Sequence, residues 1–349
     1  TYVGIFRSHF HSGKESGSLF GTLIGSGIAV CLIYASYKSD WRLLDKNTRI
    51  MLKIFENIDF KVKDKYPKFF KKSVQDTYTD YIFNVPYGLT DDEKELQPIL
   101  EKTLMKPVKV SFKGKLFIRV YYEELPKKVE YDWKPSEKWT VPIGYSLDGL
   151  IYHNFDHIPH MTVAGMTRQG KTFFLKLVLT HLKLNNSDVT FYIIDLKERL
   201  EFGDFERYKQ VKKVVGTTNE ASGMLDEVLN NLNSELKKGI KNVVGIHDKR
   251  TFIIVDEAAE LDDKCQEKLS RIARIGGALG YRLIYATQYP TADTLPRQIK
   301  QNSDAKVSFR LPTKVASRVA IDENGAEELI CPGRAIYRTH ERVEIQTFY

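Results

Sequence analysis

Val163-Ala-Gly-Met-Thr-Arg-Gln-Gly-Lys-Thr172 is the stretch from which the rest of the chain can be read. Gly165, Gly170, Lys171 and Thr172 complete the spacing G-x-x-x-x-G-K-[ST]. Met161-Thr-Val-Ala164 before it reads as a buried strand. Phe173-Phe-Leu-Lys-Leu-Val-Leu179 after it is apolar enough for a core helix. A phosphate loop needs this strand–loop–helix setting. The glycines let backbone N–H groups turn onto a polyphosphate, and the helix N-terminus adds its positive dipole end. The candidate nucleotide-binding residues are therefore Gly165, Met166, Thr167, Arg168, Gln169, Gly170, Lys171 and Thr172. Lys171 is placed for the β- and γ-phosphates, and the Thr172 hydroxyl for Mg²⁺. ATP and Mg²⁺ are the expected cofactors.

Outward from the loop, apolar strands alternate with helices from about Val141 onward, as in a parallel sheet covered on both faces. Val189-Thr-Phe-Tyr-Ile-Ile194 runs into Asp195. Val211–Val215 is a further strand, and Met224, Leu225, Val228, Leu229 and Leu232 mark one face of a long helix. Thr251-Phe-Ile-Ile-Val-Asp-Glu257 delivers two carboxylates from a buried strand to the sheet edge, where α/β sheets bind ligands. Asp256 is placed for the Mg²⁺ shell, and Glu257 to orient or deprotonate an attacking water. Arg282-Leu-Ile-Tyr-Ala286 ends in Thr287-Gln288, whose amide can reach a γ-phosphate or that water. The candidate catalytic set is Glu257, Asp256, Gln288 and Lys171, with Thr172 and Asp256 as metal ligands.

At 349 residues, the chain has room for a large α/β domain and a smaller one. Its formal net charge of +8 and pI of about 9.0 suit an anionic partner. Cys31, Cys265 and Cys331 show no C-x-x-C spacing, which argues against a zinc site or a disulfide framework. His153, His157 and His160 precede the phosphate loop and read as loop residues rather than a metal cluster.

Leu19-Phe-Gly-Thr-Leu-Ile-Gly-Ser-Gly-Ile-Ala-Val-Cys-Leu-Ile-Tyr-Ala35 lies in an uncharged stretch long enough to cross a bilayer. Lys38, Arg42, Lys46, Arg49 and Lys53 follow it, which places the C-terminal side in the cytoplasm. The expected organisation is an N-terminal transmembrane segment over 1–38 (span about 19–36) and a basic juxtamembrane helix and connector over 39–75. A small α/β module over 76–125, a linker over 126–140 and an ATPase domain over 141–349 complete it. In the connector, Lys61-Val-Lys-Asp-Lys-Tyr-Pro-Lys-Phe-Phe-Lys-Lys72 reads either as a solvated basic stretch or as a patch drawn to anionic lipid. In the module, Tyr81–Val85 is a strand, Thr90 and Glu93 form a capping box, and Val108–Phe112 and Leu116–Val120 are two more strands.

The phosphate loop, Ile254-Val-Asp-Glu-Ala-Ala-Glu-Leu261, Ala286-Thr-Gln-Tyr-Pro290, Lys314-Val-Ala-Ser-Arg-Val-Ala-Ile-Asp322 and Gly325-Ala-Glu-Glu-Leu329 together resemble the FtsK/SpoIIIE DNA-translocase family. Ile158-Pro-His160 and Ile194-Asp-Leu-Lys197 are similar to it as well. Within the family, the single domain after a short membrane region looks like the TcpA/ConQ-type conjugation coupling proteins of Gram-positive plasmids and integrative conjugative elements. The resemblance implies a RecA-like P-loop ATPase domain with a mostly parallel sheet, working in a homo-hexamer that pumps DNA. It also implies an anchor in the cell membrane and relaxase and conjugation-channel proteins as partners. Arg274, Lys314 and Arg318 become candidates for reaching a neighbouring subunit's nucleotide.

Two departures stand out. The family's arginine-finger position is Gly277 here, so the finger would be Arg274 or, failing that, Arg271 or Arg282. The family's winged-helix module is not seen after the closing hairpin Arg334–Phe348, which implies sequence-independent DNA handling through phosphates. Two further expectations compete: an FtsK-like ATPase driving protein secretion, and a weakly hydrolysing docking platform.

Overall fold

The computed structural model describes residues 43–89, 93–239 and 242–349. The expected membrane span over 19–36 lies outside the described residues, as does Thr90 of the expected capping box. No helix among the described residues is long and apolar enough to cross a membrane. The chain divides into two compact units between Glu124 and Leu125.

In the first unit, Asp45 starts helix α1 (Lys46–Asn57) by accepting hydrogen bonds from the Asn47 and Thr48 amides at 3.1 and 3.3 Å. Met51, Ile54 and Phe55, at helical spacing, are buried, whereas Leu43 beyond the cap is 84% exposed. Strands β1 (Lys68–Val74) and β2 (Tyr78–Asn84) precede helix α2 (Glu93–Leu104), and β3 (Val108–Phe112) and β4 (Leu116–Tyr121) follow it. They form an antiparallel sheet in the order β1-β2-β4-β3.

Met51 and Phe55 share one core with Phe83, Leu100, Leu116 and Ile118. The helix expected as a juxtamembrane element is thus part of this module's core. The basic connector is corrected too, because its second half is β1. That strand pairs on one side only and leaves Lys68, Lys71 and Lys72 exposed. A lysine-rich edge strand has the composition of a solvated linker, since the lysines discourage further pairing.

The second unit is built on a ten-stranded sheet. In chain order its elements begin with β5 (Thr140–Ser146), β6 (Gly149–Asn154), β7 (Met161–Ala164), helix α3 (Lys171–Asn185), β8 (Val189–Asp195) and β9 (Val211–Val215). Then come α4 (Thr218–Lys237), β10 (Arg250–Asp256), α5 (Asp263–Ile275), β11 (Tyr281–Thr287) and α6 (Arg297–Asn302). The unit closes with β12 (Ala305–Phe309), α7 (Lys314–Ile321), β13 (Arg334–Arg338) and β14 (Arg342–Gln346). The spatial order is β6-β5-β14-β13-β12-β7-β11-β10-β8-β9. From β12 to β9 the pairs are parallel, and the β5–β6 and β13–β14 hairpins extend the sheet with antiparallel pairs.

The continuous apolar runs follow from burial on both faces. Phe252 and Ile254 of β10 pack in the cluster that contains Phe174, Leu175 and Val178 of α3. Ile253 and Val255 pack on the other side with Met224 and Leu225 of α4 and Leu269 and Ile272 of α5. Each fully buried side chain of this kind contributes about 1.5–3 kcal/mol. The α/β class with a mostly parallel sheet is therefore seen directly.

The stretch expected as a linker carries no regular element up to Thr140, yet it is fastened to this unit. Arg334 donates to the Leu125 and Pro126 carbonyls at 3.0 and 3.1 Å. The Ser136 and Trp139 amides donate to the Asn185 and Asn186 side chains at the end of α3. Of the three histidines expected in a loop, His153 lies in β6, whereas His157 and His160 lie between β6 and β7. His153 and His160 are buried; His153 bonds the Tyr337 hydroxyl at 2.9 Å, and His160 Nδ1 accepts from the Leu283 amide at 2.9 Å.

Candidate active site

The phosphate loop joins β7, inside the parallel sheet, to the N-terminus of α3. A side chain at Gly165 would bring a Cβ within 2.7 Å of Phe309 Cβ, so the close approach of loop to β12 requires glycine. Gly170 caps α3 at φ 111°, a left-handed conformation that favours glycine. The loop is held from outside: the Met166 amide donates to the Arg310 carbonyl at 3.0 Å and the Gly333 amide to the Gln169 carbonyl at 2.9 Å. The first amides of α3 have no intrahelical acceptor and point along the helix axis, as an anion site requires.

Lys171 and Thr172 open α3, and Lys171 is only 4% exposed. Its Nζ bonds Asp256 Oδ1 at 2.7 Å and Glu257 Oε1 at 2.5 Å. The parallel register sets Asp195 of β8 beside Asp256 of β10, so both strands release their next residues at the same edge. Lys197, two residues beyond Asp195, reaches Glu257 Oε1 at 3.1 Å. Gln288, just past β11, donates through Nε2 to the same oxygen and accepts at Oε1 from the Thr167 hydroxyl at 2.7 Å. The fold thus gathers Lys171, Asp256, Glu257, Gln288 and Thr167 into one cluster.

Glu257 sits at φ 58°, ψ 45°, a left-handed conformation unusual for a side chain with a Cβ. That turn takes the chain sharply off β10 and is consistent with a local strain of order 1 kcal/mol held by the surrounding contacts. Burial pushes the Asp256 carboxyl above its ordinary value, and Lys171 only partly offsets this. Burial acts on Glu257 in the same sense, but Lys171, Gln288 and Lys197 outweigh it and hold that carboxyl below its usual range. Glu257 is the more firmly ionised of the pair.

Asp256 Oδ2 is buried with no hydrogen-bond partner among the described residues. An orphaned carboxylate oxygen behind a phosphate loop fits a hydrated Mg²⁺, and the half-buried Thr172 hydroxyl lies at the start of the same helix. No cluster of three or more His, Cys, Asp or Glu among the described residues forms a metal cage. A polar cavity of about 240 Å³ lined by Tyr192, Glu235, Lys238, His247 and Tyr281 is formed by other residues and shares none of this cluster.

The remaining candidates lie apart from the cluster. Arg274, Lys314 and Arg318 are exposed, and Arg318 Nε donates to Asn324 at 2.8 Å. Arg271 is exposed and bonds Asn233 at 3.0 Å. Arg282 is excluded from any finger role: it is fully buried, its Nη2 is 2.7 Å from Asp156 Oδ1, and its Nη1 donates to the Gly277 carbonyl at 2.6 Å. A Cβ at Gly277 would lie 3.0 Å from Pro159 Cγ and 3.3 Å from His160 Nε2, so this turn packs tightly without a side chain. Lys197 and Thr167–Gln288 are contacts that motif spacing does not disclose.

Residues 127–240 match the model described as the FtsK/SpoIIIE family. The chain thus carries a domain that matches the FtsK/SpoIIIE family model over about a third of its length. Among curated relatives, the DNA translocase FtsK of Lactococcus lactis subsp. cremoris is 28% identical over 234 residues, covering 58% of this chain and 31% of the relative. That of Streptococcus agalactiae serotype V is 27% identical over 236 residues, covering 59% of this chain and 29% of the relative. The chain therefore spans about three-tenths of the length of these relatives.

Among solved structures, the pCW3 conjugation coupling protein TcpA, in a monomer form with ATPγS, aligns with a TM-score of 0.62 at 22% identity. It covers 87% of this chain and 95% of that one. The cytoplasmic domain of the type VII secretion ATPase EccC of Thermomonospora curvata aligns with a TM-score of 0.55 at 22% identity, covering 62% of this chain and 30% of that one. At these identities the likeness is one of fold.

Proposed function

We propose that the protein is a membrane-anchored, ATP-hydrolysing DNA translocase that serves as a conjugative coupling protein. The observation that carries the hydrolytic part is the Lys171–Asp256–Glu257–Gln288 cluster behind the phosphate loop. Gly165 to Thr172 hold the polyphosphate, with Lys171 leaving the carboxylates for the β- and γ-phosphates. Thr172 and Asp256 hold Mg²⁺, which neutralises phosphate charge when bound. Glu257 orients the attacking water and accepts its proton, and Gln288 fixes Glu257 and senses the γ-phosphate.

The DNA substrate is supported by the name of the FtsK relatives and by the net charge of +8. The coupling role is supported by the TcpA likeness over nearly the whole of both chains. The apolar run Leu19–Ala35 supports the anchor in the cell membrane, with the ATPase domain in the cytoplasm. In a homo-hexamer, Arg274, Lys314 and Arg318 act on the neighbouring subunit's nucleotide. Arg274 suits a trans role because α5 ends where the chain enters β11, at the strand end opposite Glu257. Relaxase and channel proteins are the partners this role requires.

The test is ATP turnover with and without DNA at low and high salt. Stimulation by DNA at low salt that fades as salt rises, and is lost in Lys171→Ala, is the expected outcome. Turnover indifferent to DNA would favour instead a protein-export ATPase, the reading that the fold likeness to EccC supports.

A further inference from the structure

Glu257 Oε1 receives three donors, from Lys171, Lys197 and Gln288. The two ammonium groups are not equivalent. Lys171 is buried on the phosphate-loop helix and also holds Asp256. A polyphosphate arriving in the loop competes for that ammonium with more charge than either carboxylate offers, so Lys171 is the donor that leaves. Lys197 comes from a different element and retains about a third of its side-chain exposure.

The main chain around Lys197 is fixed by one buried acid. Asp195 Oδ1 accepts the Lys197 amide at 3.3 Å, and its Oδ2 accepts the Glu201 and Phe202 amides at 2.9 Å each. Glu198 and Arg199 both turn through left-handed conformations, at φ 54° and 65°. Lys176 of α3 pairs with Glu201 at 2.7 Å on the far side of this turn. The backbone is thus anchored while the four-carbon stem is free to follow the carboxylate.

We propose that Lys197 is a positioning residue for Glu257. When Lys171 moves to the phosphates, Lys197 remains as the cation on Glu257 and, with Gln288, keeps the carboxylate aimed at the attacking water. This rests on the ATPase reading above. It assigns a role to the turn after β8, which supplies no ligand to the nucleotide in that reading.

The experiment compares Lys197→Met, which keeps an unbranched stem and removes the charge, with Lys197→Arg, which restores charge. Wild type, both variants and Glu257→Gln are assayed for ATP turnover, and separately for affinity for a non-hydrolysable ATP analogue. Thermal unfolding confirms that each variant is folded. The expected result is a kcat lowered about 10- to 100-fold in Lys197→Met, with analogue affinity and KM within about twofold of wild type and most of kcat recovered in Lys197→Arg. An unchanged kcat in Lys197→Met would overturn the proposal. A loss of analogue affinity matching the loss of kcat/KM would overturn it as well, since Lys197 would then be a phosphate contact. If wild type shows no turnover sensitive to Glu257→Gln, the ATPase reading itself falls and the positioning role with it.

Discussion

The two ends of strands β10 and β11 each carry a buried charged cluster, and the two are built differently. At the end where the strands begin, Arg250 and Arg282 share Asp156, at 2.8 and 2.7 Å. The surplus positive charge is met by backbone: Arg250 donates to the His247 and Lys249 carbonyls, and Arg282 to those of Gly277 and Tyr281. Asp156 consequently stays well below the usual carboxylate range, burial being outweighed by the two guanidiniums. At the other end, Asp256 and Glu257 are held by two ammonium groups and the Gln288 side-chain amide; Asp256 Oδ2 there, like Arg282 Nε at the first end, has no partner among the described residues.

A guanidinium bound in a fork to carboxylate and carbonyls is fixed in place, whereas an ammonium is a point charge that can change partners. One strand pair is therefore clamped at its entry and left exchangeable at its exit. On the proposed function, the first cluster serves folding stability and the second nucleotide chemistry.

The largest effect that would test this division is on stability. Asp156→Ala leaves two buried guanidiniums without their carboxylate and should destabilise the second unit by about 3–5 kcal/mol, read by denaturant or thermal unfolding. Asp156→Asn should lose less. An Asp156→Ala protein as stable as wild type would mean that the carbonyls alone satisfy both arginines, and the clamp would be no clamp.

Next comes pH. Burial pushes His153 and His160 down to about 3 from the ordinary 6.5. The unfolded chain takes up those protons below about pH 6.5 and the folded chain does not. Their stabilisation is therefore complete above that pH and is lost as pH falls toward 3. The slope is about 1.4 kcal/mol per pH unit for each histidine. Melting between pH 7.5 and 5 should show this slope, and His160→Gln should flatten it. An unchanged slope in that variant would separate His160 from the clamp beside it.

The smallest effect concerns Gly277, where an added Cβ would meet both Pro159 and His160. Gly277→Ala should lower stability by about 1 kcal/mol. Placing the family's arginine there, as Gly277→Arg, should not raise turnover, because the side chain would start from a position already filled. A faster Gly277→Arg enzyme would show that the turn has room and that the finger role belongs there rather than to Arg274.

The exit cluster was legible from sequence because its members sit within motifs: a loop at fixed spacing, two acids at the end of an apolar run, an amide at the end of another. Local order there sets geometry. The entry cluster was not legible, since Asp156 lies 94 residues from Arg250 and 126 from Arg282, and Arg282 reads instead as a fallback for the arginine finger. Lys197 stands in the family-like stretch Ile194–Lys197, but its partner was not legible, for a related reason. Its contact with Glu257 depends on the β8–β10 register, which pairs Asp195 with Asp256 and which no single segment encodes. In the first unit, the apolar spacing of α1 was visible but its core partners were not, and β1 was hidden by its lysines.

The most direct measurement is ATP turnover by wild type and Glu257→Gln, paired with nucleotide binding by both. The account predicts that Glu257→Gln binds nucleotide as wild type does while its turnover falls at least about 100-fold. Turnover at the wild-type rate in Glu257→Gln would contradict it, because the exit cluster would then not be where hydrolysis takes place.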